Sequence, residues 1–520
     1  MSVPFNQIPS NVMVPLFYAE FNSGGTPYLG DPVTLLLGQL TTAGKAPPAV
    51  AYGPISSESD AIAQFGLGSM LHYMFLAARK NAQFAPIYAL PLADPPGAPA
   101  VGEITITAAP GVSGAGIVRV TGRLLQFQIN AADTMDMIAT NMAAVINAAN
   151  LAVTAAAAAA VVTVTARHKG LTGNGLDIAI PGVGAVPTGG WANILNATNT
   201  TVTPMAGGSG SPDIAGALAG LNDVPYDWIA GAYSDEPSLD AMIAFLNDST
   251  GRWSPYQQLY GHYMCFMYDT LSNLCTYGPQ INNQHICVMG SKPTPTPPWE
   301  PAAMMAGIAT EHLANPPECS RPLQTLTLNG MLPPDARSDY WTISDRQSLY
   351  TNGIGAVKVM ADRSVQLDRC CTTYVMDAAG APDRTFMDTE TMGQGMWAIR
   401  FLRTNVLQKY GRSALAQTDP YNVGMATPQR VKNDLIHWYN DMVAVGLAQR
   451  ADIFAQYVVC EIDALNAQRL NVFFPLNVVD QLRIFATNVT AYLSFTTPSG
   501  AVAIPALQSS TGVIGSGAAA

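Results

Sequence analysis

Six histidines (His72, His168, His262, His285, His312 and His437) and seven cysteines (Cys265, Cys275, Cys287, Cys319, Cys370, Cys371 and Cys460) are the side chains of this chain best suited to proton transfer, nucleophilic attack or metal binding. A serine hydrolase of the α/β type presents its hydroxyl to a histidine from a strained G-x-S-x-G turn, and none of these histidines belongs to such an elbow. His285-x-Cys287, with Cys275 and Cys265 upstream, supplies one closely spaced ligand pair, whereas zinc sites normally join two such pairs. A core histidine beside a buried thiol on a strand is the simpler reading. The cysteine number is odd and no C-x-x-C occurs, which points to reduced, mostly buried thiols rather than a disulfide framework.

Two glycine runs invite a phosphate-cradle reading. Gly207 to Gly210 precedes a helix, as a phosphate loop does, yet no G-K-[ST] follows and Pro212-Asp213 is an ordinary helix start. Gly170-x-x-Gly173-x-Gly175 falls between strands and reads as a hairpin turn, and Ala155 to Ala160 reads as filler between a helix and a strand. The expectation is therefore a protein with no catalytic, cofactor-binding or metal residues, a hydrolase being the enzymatic alternative.

Composition points the same way. Charged residues are 12% of the chain, about half the usual ~25%. Interface cores are depleted of charge, so a chain this poor in it is expected to cover its surface with other protein. The net charge of −11, without a basic run, argues against direct nucleic-acid binding. Met1-Ser2-Val3-Pro4-Phe5 has neither a charged n-region nor an apolar h-region, so synthesis in the cytoplasm is expected. The weakly polar run from Leu151 to Val164 is 14 residues, too short to span a bilayer.

At 520 residues the chain should divide into two to four domains. Val33 to Leu37 and Pro86 to Leu90 read as buried strands around one helix from Ser59 to Lys80. Pro95, Pro96 and Pro99 then open a Gly-, Ala-, Thr- and Val-rich stretch, expected to be a self-contained β-rich insertion over 98–205. Helix and strand alternate again from Pro212, which implies a largely parallel sheet. Within that stretch, the five prolines between Pro293 and Pro301 read as a rigid loop before a helix from about Ala302. Thr427-Pro428 caps a helix with Val431, Leu435, Trp438, Met442 and Val443 on one face.

Both ends carry strand-like alternation: Val12, Val14, Leu16 and Tyr18 near the start, and Val489, Ala491, Leu493 and Phe495 near the end. Pro9 and Pro15 restrict the first of these to an edge strand or a projecting arm. Such segments can add a strand to a neighbour's sheet.

Several blocks then occur in order: Ile8-Pro9-Ser10-Asn11-Val12 with Val14-Pro15-Leu16; Arg321-Pro322-Leu323-Gln324-Thr325-Leu326; Asn352-Gly353-Ile354; Val365-x-Leu367-x-Arg369-x-x-Thr372-Thr373-Tyr374; Thr427-Pro428; and Asn477 to Ala486. In these the chain resembles the phage tail sheath family, most closely the sheaths of Mu-like contractile-tailed phages. It departs from the family pattern at Leu367, where an acidic residue is common, and at Cys370-Cys371. The resemblance implies a multidomain α/β fold: a subtilisin-like sheath core without protease activity, an outward inserted domain and extended terminal arms. The divisions expected are an arm over 1–30, a core over 31–95 and 206–375, a C-terminal α/β domain over 376–495 and a tail over 496–520. It implies a helical homo-oligomer around a tail tube, with baseplate and tail terminator proteins as further partners and no membrane insertion. The expected locations are the virion tail and, during assembly, the host cytoplasm.

Overall fold

The computed structural model describes residues 32–181, 193–418, 424–489 and 491. Its first elements are β1 (Thr34–Gln39), α1 (Glu58–Phe65), α2 (Met70–Asn81) and β2 (Ile87–Leu92). The single helix expected over Ser59 to Lys80 is two. Gly66 and Gly68 both take positive φ between them, and a Cβ on Gly66 would lie 1.9 Å from Thr41 Oγ1. Ser69 restarts the helix by accepting the His72 amide proton with its side chain. Apolar periodicity runs straight through this break, and the Gly-Leu-Gly-Ser stop-and-cap signal decides the outcome.

Between Pro99 and Ala206 the chain leaves this layer and builds two smaller sheets. The strands are β3 (Pro99–Ile106), β4 (Gly114–Val120), β5 (Arg123–Ile129), β6 (Val153–Ala158), β7 (Val161–Lys169), β8 (Ile178–Ala179) and β9 (Thr200–Ala206), with α3 (Met135–Ala148) packed among them. One sheet runs β6-β7-β3-β9 and the other β5-β4-β8. Here the polyalanine reading is corrected: Ala155 to Ala158 belong to β6, paired antiparallel with β7 through a turn at Ala159. Alanine has little preference for strands, so the partner strand decides. Leu171–Gly175, expected as a hairpin turn, is a 3-10 turn.

The main sheet resumes with α4 (Ile214–Ala219), β10 (Trp228–Gly231), α5 (Glu236–Leu246), β11 (His262–Tyr268), α6 (Leu271–Ile281), β12 (Ile286–Ser291), α7 (Trp299–His312), α8 (Ile343–Thr351), β13 (Gly355–Val359) and β14 (Val365–Arg369). Its order is β14-β13-β12-β11-β10-β1-β2, parallel throughout except for the β13–β14 pair. All six residues of β1 and of β12 are buried, as strands covered by helices on both faces must be. Helix α7 starts inside the proline run, at Trp299 rather than near Ala302, because Pro301 falls in the first turn, where no amide partner is lost. It packs on α2 through Gly307, where an added Cβ would lie 3.0 Å from the Ala78 carbonyl oxygen. Arg321 to Leu326 is not a regular strand, although Thr325, Leu326 and Leu328 exchange backbone hydrogen bonds with Leu367 and Val365 of β14 around an isolated bridge from Thr327 to Gln366.

The chain continues as α9 (Thr389–Tyr410), β15 (Ala414–Leu415), β16 (Met425–Ala426), α10 (Pro428–Ala444), α11 (Ala451–Tyr457), β17 (Val459–Ile462) and β18 (Leu470–Phe473). In α10, Thr427 accepts the Arg430 amide and Pro428 opens the helix as expected, while Tyr439 replaces the half-exposed Val443 on the buried face. From Leu482 on, the residues form a second unit. Its described members, 482–489 and 491, are neither helix nor strand. No helix among the described residues is long and apolar enough to cross a membrane.

Polar contacts fix the 99–206 region to the main layer. Arg119 forms paired hydrogen bonds to Asp177 (2.6 and 3.0 Å) and to Asp335 (2.7 Å each). His168 Nε2 accepts the Met70 amide at the start of α2, and Arg123 pairs with buried Glu300 at 3.3 Å. Burial, helped by Arg167, pushes His168 down to about 4, and burial opposed by Arg123 pushes Glu300 up to about 7.

These two groups act on stability with opposite sign. Between pH 6.5 and 4 the unfolded state binds more protons at His168 than the folded state, so stability is lost as pH falls through that window. Between pH 7 and 4.5 the folded state binds more protons at Glu300, so stability is gained there on acidification, each effect being on the order of 3 kcal/mol. Urea unfolding across pH 4–8 should therefore show a shallower acid loss for His168→Gln and a steeper one for Glu300→Gln; equal slopes in both variants would refute the assignment. Gly307→Val should cost about 1–3 kcal/mol in the same assay, since the Ala78 backbone cannot yield to the new methyl groups.

Candidate assembly interfaces

The residues with chemical potential do not converge. His285 is buried, stacks on Trp253 (4.6 Å between ring centres, 25°) and places Nε2 3.1 Å from Asp248. Cys265 and Cys287 lie buried on β11 and β12, and burial pushes the Cys287 thiol up to about 12, far from a reactive thiolate. Among the described residues no three His, Cys, Asp or Glu side chains gather as a metal site. The Gly207 to Gly210 run closes the neck of the 99–206 region: Gly208 exchanges two hydrogen bonds with the Asn174 side chain, and Ser209 bonds Ala98. These glycines permit close backbone approach there, since a Cβ on Gly208 would meet the Gly170 carbonyl oxygen at 2.5 Å.

Of the expected arm residues, Val12, Val14, Leu16, Tyr18, Leu493 and Phe495 lie outside the described residues. Val489 and Ala491 are described and exposed, and neither is in a strand. Leu482, Ile484, Phe485 and Val489 are each at least 69% exposed, an apolar row without secondary structure. An alternating segment becomes a strand only against a partner that takes its backbone hydrogen bonds.

A surface able to act as such a partner is present in the main unit, at a place the sequence reading passed over. Among the described residues β17 and β18 pair only with each other, in register from Val459↔Phe473 to Ile462↔Leu470. A lone two-stranded hairpin is marginal in water, and this one leans on α10 and α11 through Phe474, which packs on Phe454 (4.6 Å) and Tyr439 (5.8 Å). Tyr439 and Phe454 stack at 3.9 Å beneath it. Val459, Val472 and Phe473 remain 42–61% exposed on the hairpin. Beside it opens an apolar groove of about 450 Å³ lined by Leu402, Val406 and Tyr410 of α9, Leu435 of α10, and Leu470 and Val472 of β18. Four-residue strands joined by a seven-residue loop with no Asn-Gly or Asp-Gly turn leave little trace in a sequence.

Polar groups hold the main unit at its first described strand and at its C-terminal end. Val33 donates to Asp227 Oδ2 (2.9 Å), and Asp227 pairs with Arg400 of α9 (2.5 Å). At the other end the fully buried Gln394 of α9 donates to the Val479 carbonyl (2.9 Å) and to Ser320 Oγ (3.0 Å), and accepts from the Gln481 amide (3.2 Å).

A family profile described as "Phage tail sheath protein central domain" matches residues 207–373. The "Mu-like prophage FluMu tail sheath protein" of Haemophilus influenzae is 30% identical over 501 residues, covering 94% of this chain and 99% of the relative. Among solved structures, the sheath tail protein of Desulfitobacterium hafniense aligns over 90% of this chain and 97% of its own, with a TM-score of 0.47 and 12% identity. A chain of the anti-feeding prophage baseplate aligns over 93% and 100%, with a TM-score of 0.47 and 12% identity. On the near end-to-end relationship with the Haemophilus protein, and on the central match at 207–373, the chain belongs to the phage tail sheath family.

Proposed function

We propose that this chain is the subunit of a contractile tail sheath that polymerises helically around a tail tube and shortens to drive the tube through the host envelope during genome ejection. The observation that supports the mechanism is the combination of a hairpin, β17–β18, that among the described residues pairs with no further strand, and an exposed apolar row at Ile484, Phe485 and Val489 that is not in a strand. Residues 482–495 of one subunit, together with residues 12–18 of another, add strands to the hairpin of a third. Each backbone hydrogen bond contributes about 1 kcal/mol net, so a four-residue strand holds by several bonds acting together. Repetition of such a heterologous contact builds a helix.

In this reading the seven-stranded sheet is the subtilisin-like core, working as a structural body, and the 98–205 domain faces outward. Cores joined through arms rotate and slide without disconnecting. Contraction then runs downhill as core-to-core burial grows, at ~25 cal/mol per Å² of apolar area. The partners are further copies of the chain, the tail tube, the baseplate and the tail terminator, in the virion tail after assembly in the host cytoplasm. The sheath of a non-phage contractile injection particle is the second reading, favoured by the same geometry.

Removing residues 1–20 or 482–520 should leave folded monomers that no longer form striated tubes in negative-stain electron microscopy. Normal tubes from either truncation would sink the arm mechanism. Phe473→Asp should raise the concentration needed for tube growth about tenfold, the equivalent of ~1.4 kcal/mol per contact, with the melting temperature of the monomer unchanged.

A further inference from the structure

The first described strand and the last described turn of the main unit are both gripped by one helix. At the first, the Val33 amide donates to Asp227 Oδ2 and the Val33 carbonyl accepts from the amides of Asp227 and Trp228 at 3.1 and 3.2 Å. The second carboxylate oxygen of Asp227 is held by Arg400, whose guanidinium also lies 5.6 Å from the Tyr260 ring centre. Pro32, Trp228, Gly393 and Trp397 close a void of about 20 Å³ around this contact, so α9 sits directly on the entry strand. At the second point Gln394 holds Val479 and Gln481, while Gln449 secures the preceding turn through the Val478 carbonyl (3.0 Å). Gln394 and Arg400 are six residues apart, about 9 Å along the helix axis and about 120° around it. The helix is thus clasped between the two places.

The choice of side chains bears on function. A buried ion pair such as Asp227–Arg400 seldom adds stability over apolar residues of the same size, because both ions lose their water. Its charges attract across the joint, whereas the Gln394 side chain fixes direction, its nitrogen donating to the Val479 carbonyl and the Ser320 hydroxyl and its oxygen accepting from the Gln481 side-chain amide. The first half of α9 is itself rigid, with Thr389, Glu390, Met392, Gly393, Gln394, Met396 and Ala398 all buried. Glu390 fastens it to the main layer by accepting the Leu323 amide at 2.8 Å.

We propose that α9 is a mechanical link between the two arm roots, so that displacement of the N-terminal root at Val33 is transmitted through Arg400 and Gln394 to the C-terminal root at Val479. This rests on the arm mechanism above. In a sheath it makes the movement of one neighbour felt by the next, and contraction then propagates from ring to ring.

Amide hydrogen exchange on the full-length monomer tests the link without requiring tubes. The variant pair Asp227→Asn with Arg400→Met removes the clasp at one end without stranding a charge, and Gln394→Met removes it at the other. Coupling predicts that each variant speeds exchange of both the Val33 and the Val479 amides by at least about tenfold. Loss of protection confined to the altered end overturns it. Should the paired variant fail to fold, Arg400→Lys against Gln394→Met gives the same comparison with a smaller change. In sheaths assembled from Gln394→Met, the expected result is arrest part-way along the tube, whereas complete all-or-none contraction overturns the proposal. Tubes formed by the truncated chains with exchange still coupled would refute the arm mechanism and leave the link standing.

Discussion

The constraint on which the rest of this structure depends is that β1 is covered on both faces and paired on both edges. Its six buried residues align in parallel with Ile87–Leu92 on one side and with Trp228–Gly231 on the other. The strands flanking it are separated by more than a hundred residues of sequence. A parallel strand cannot be reached by a tight turn, so the chain must leave the sheet after β2 and return before β10. That excursion is where the 99–206 region sits, and its ends have to meet. The Pro95-Pro96-Gly97 and Gly207-Gly208-Ser209-Gly210 segments do so through Ala98–Ser209 and Asn174–Gly208 hydrogen bonds. The glycines that looked like a phosphate loop are the consequence of bringing two backbones together at that neck.

How much of this was legible in the sequence depends on whether an element's stability is local. Helix α10 was readable because Thr427, Pro428 and four of the five stripe residues, all but Val443, agree with the structure. Strands β10, β11 and β12 were readable as short apolar runs. Helix α9 was not found, because its buried half contains Thr389, Glu390, Gln394 and three glycine or alanine residues among its methionines, so no 3.6-residue hydrophobic pattern appears. The hairpin β17–β18 was missed for the opposite reason: its support is tertiary, from β17 against α10 and from Phe474 resting on Tyr439 and Phe454. The arm residues were read from alternation alone, and Val489 and Ala491 show what alternation lacks when no second strand is at hand.

The low charge of the chain takes on meaning at this level. Several of the charges that are present are used internally, in Arg119 with Asp177 and Asp335, Arg369 with Asp388, and Arg400 with Asp227. A lattice that slides has to let many different surfaces face one another in turn. Fixed ion pairs across such surfaces would favour one register over the rest, because like charges brought opposite each other repel and stranded charges lose their partners.

The division of labour between body and arms follows from the kinds of bond involved. Backbone pairing at a hairpin edge is satisfied by any sequence that can be extended, and a flexible segment keeps it while the bodies turn. The body must do the reverse and resist deformation, because a joint that yields absorbs the displacement it is meant to pass on. Buried polar contacts suit that role, since they are strongly directional and cannot slip by one side-chain diameter as apolar packing can. In this chain such contacts are found beside the first described strand, at Val33 and Asp227, and at the end of the main unit, at Val479 and Gln481. A contractile polymer needs rigid structure at both places if displacement is to pass from one to the other.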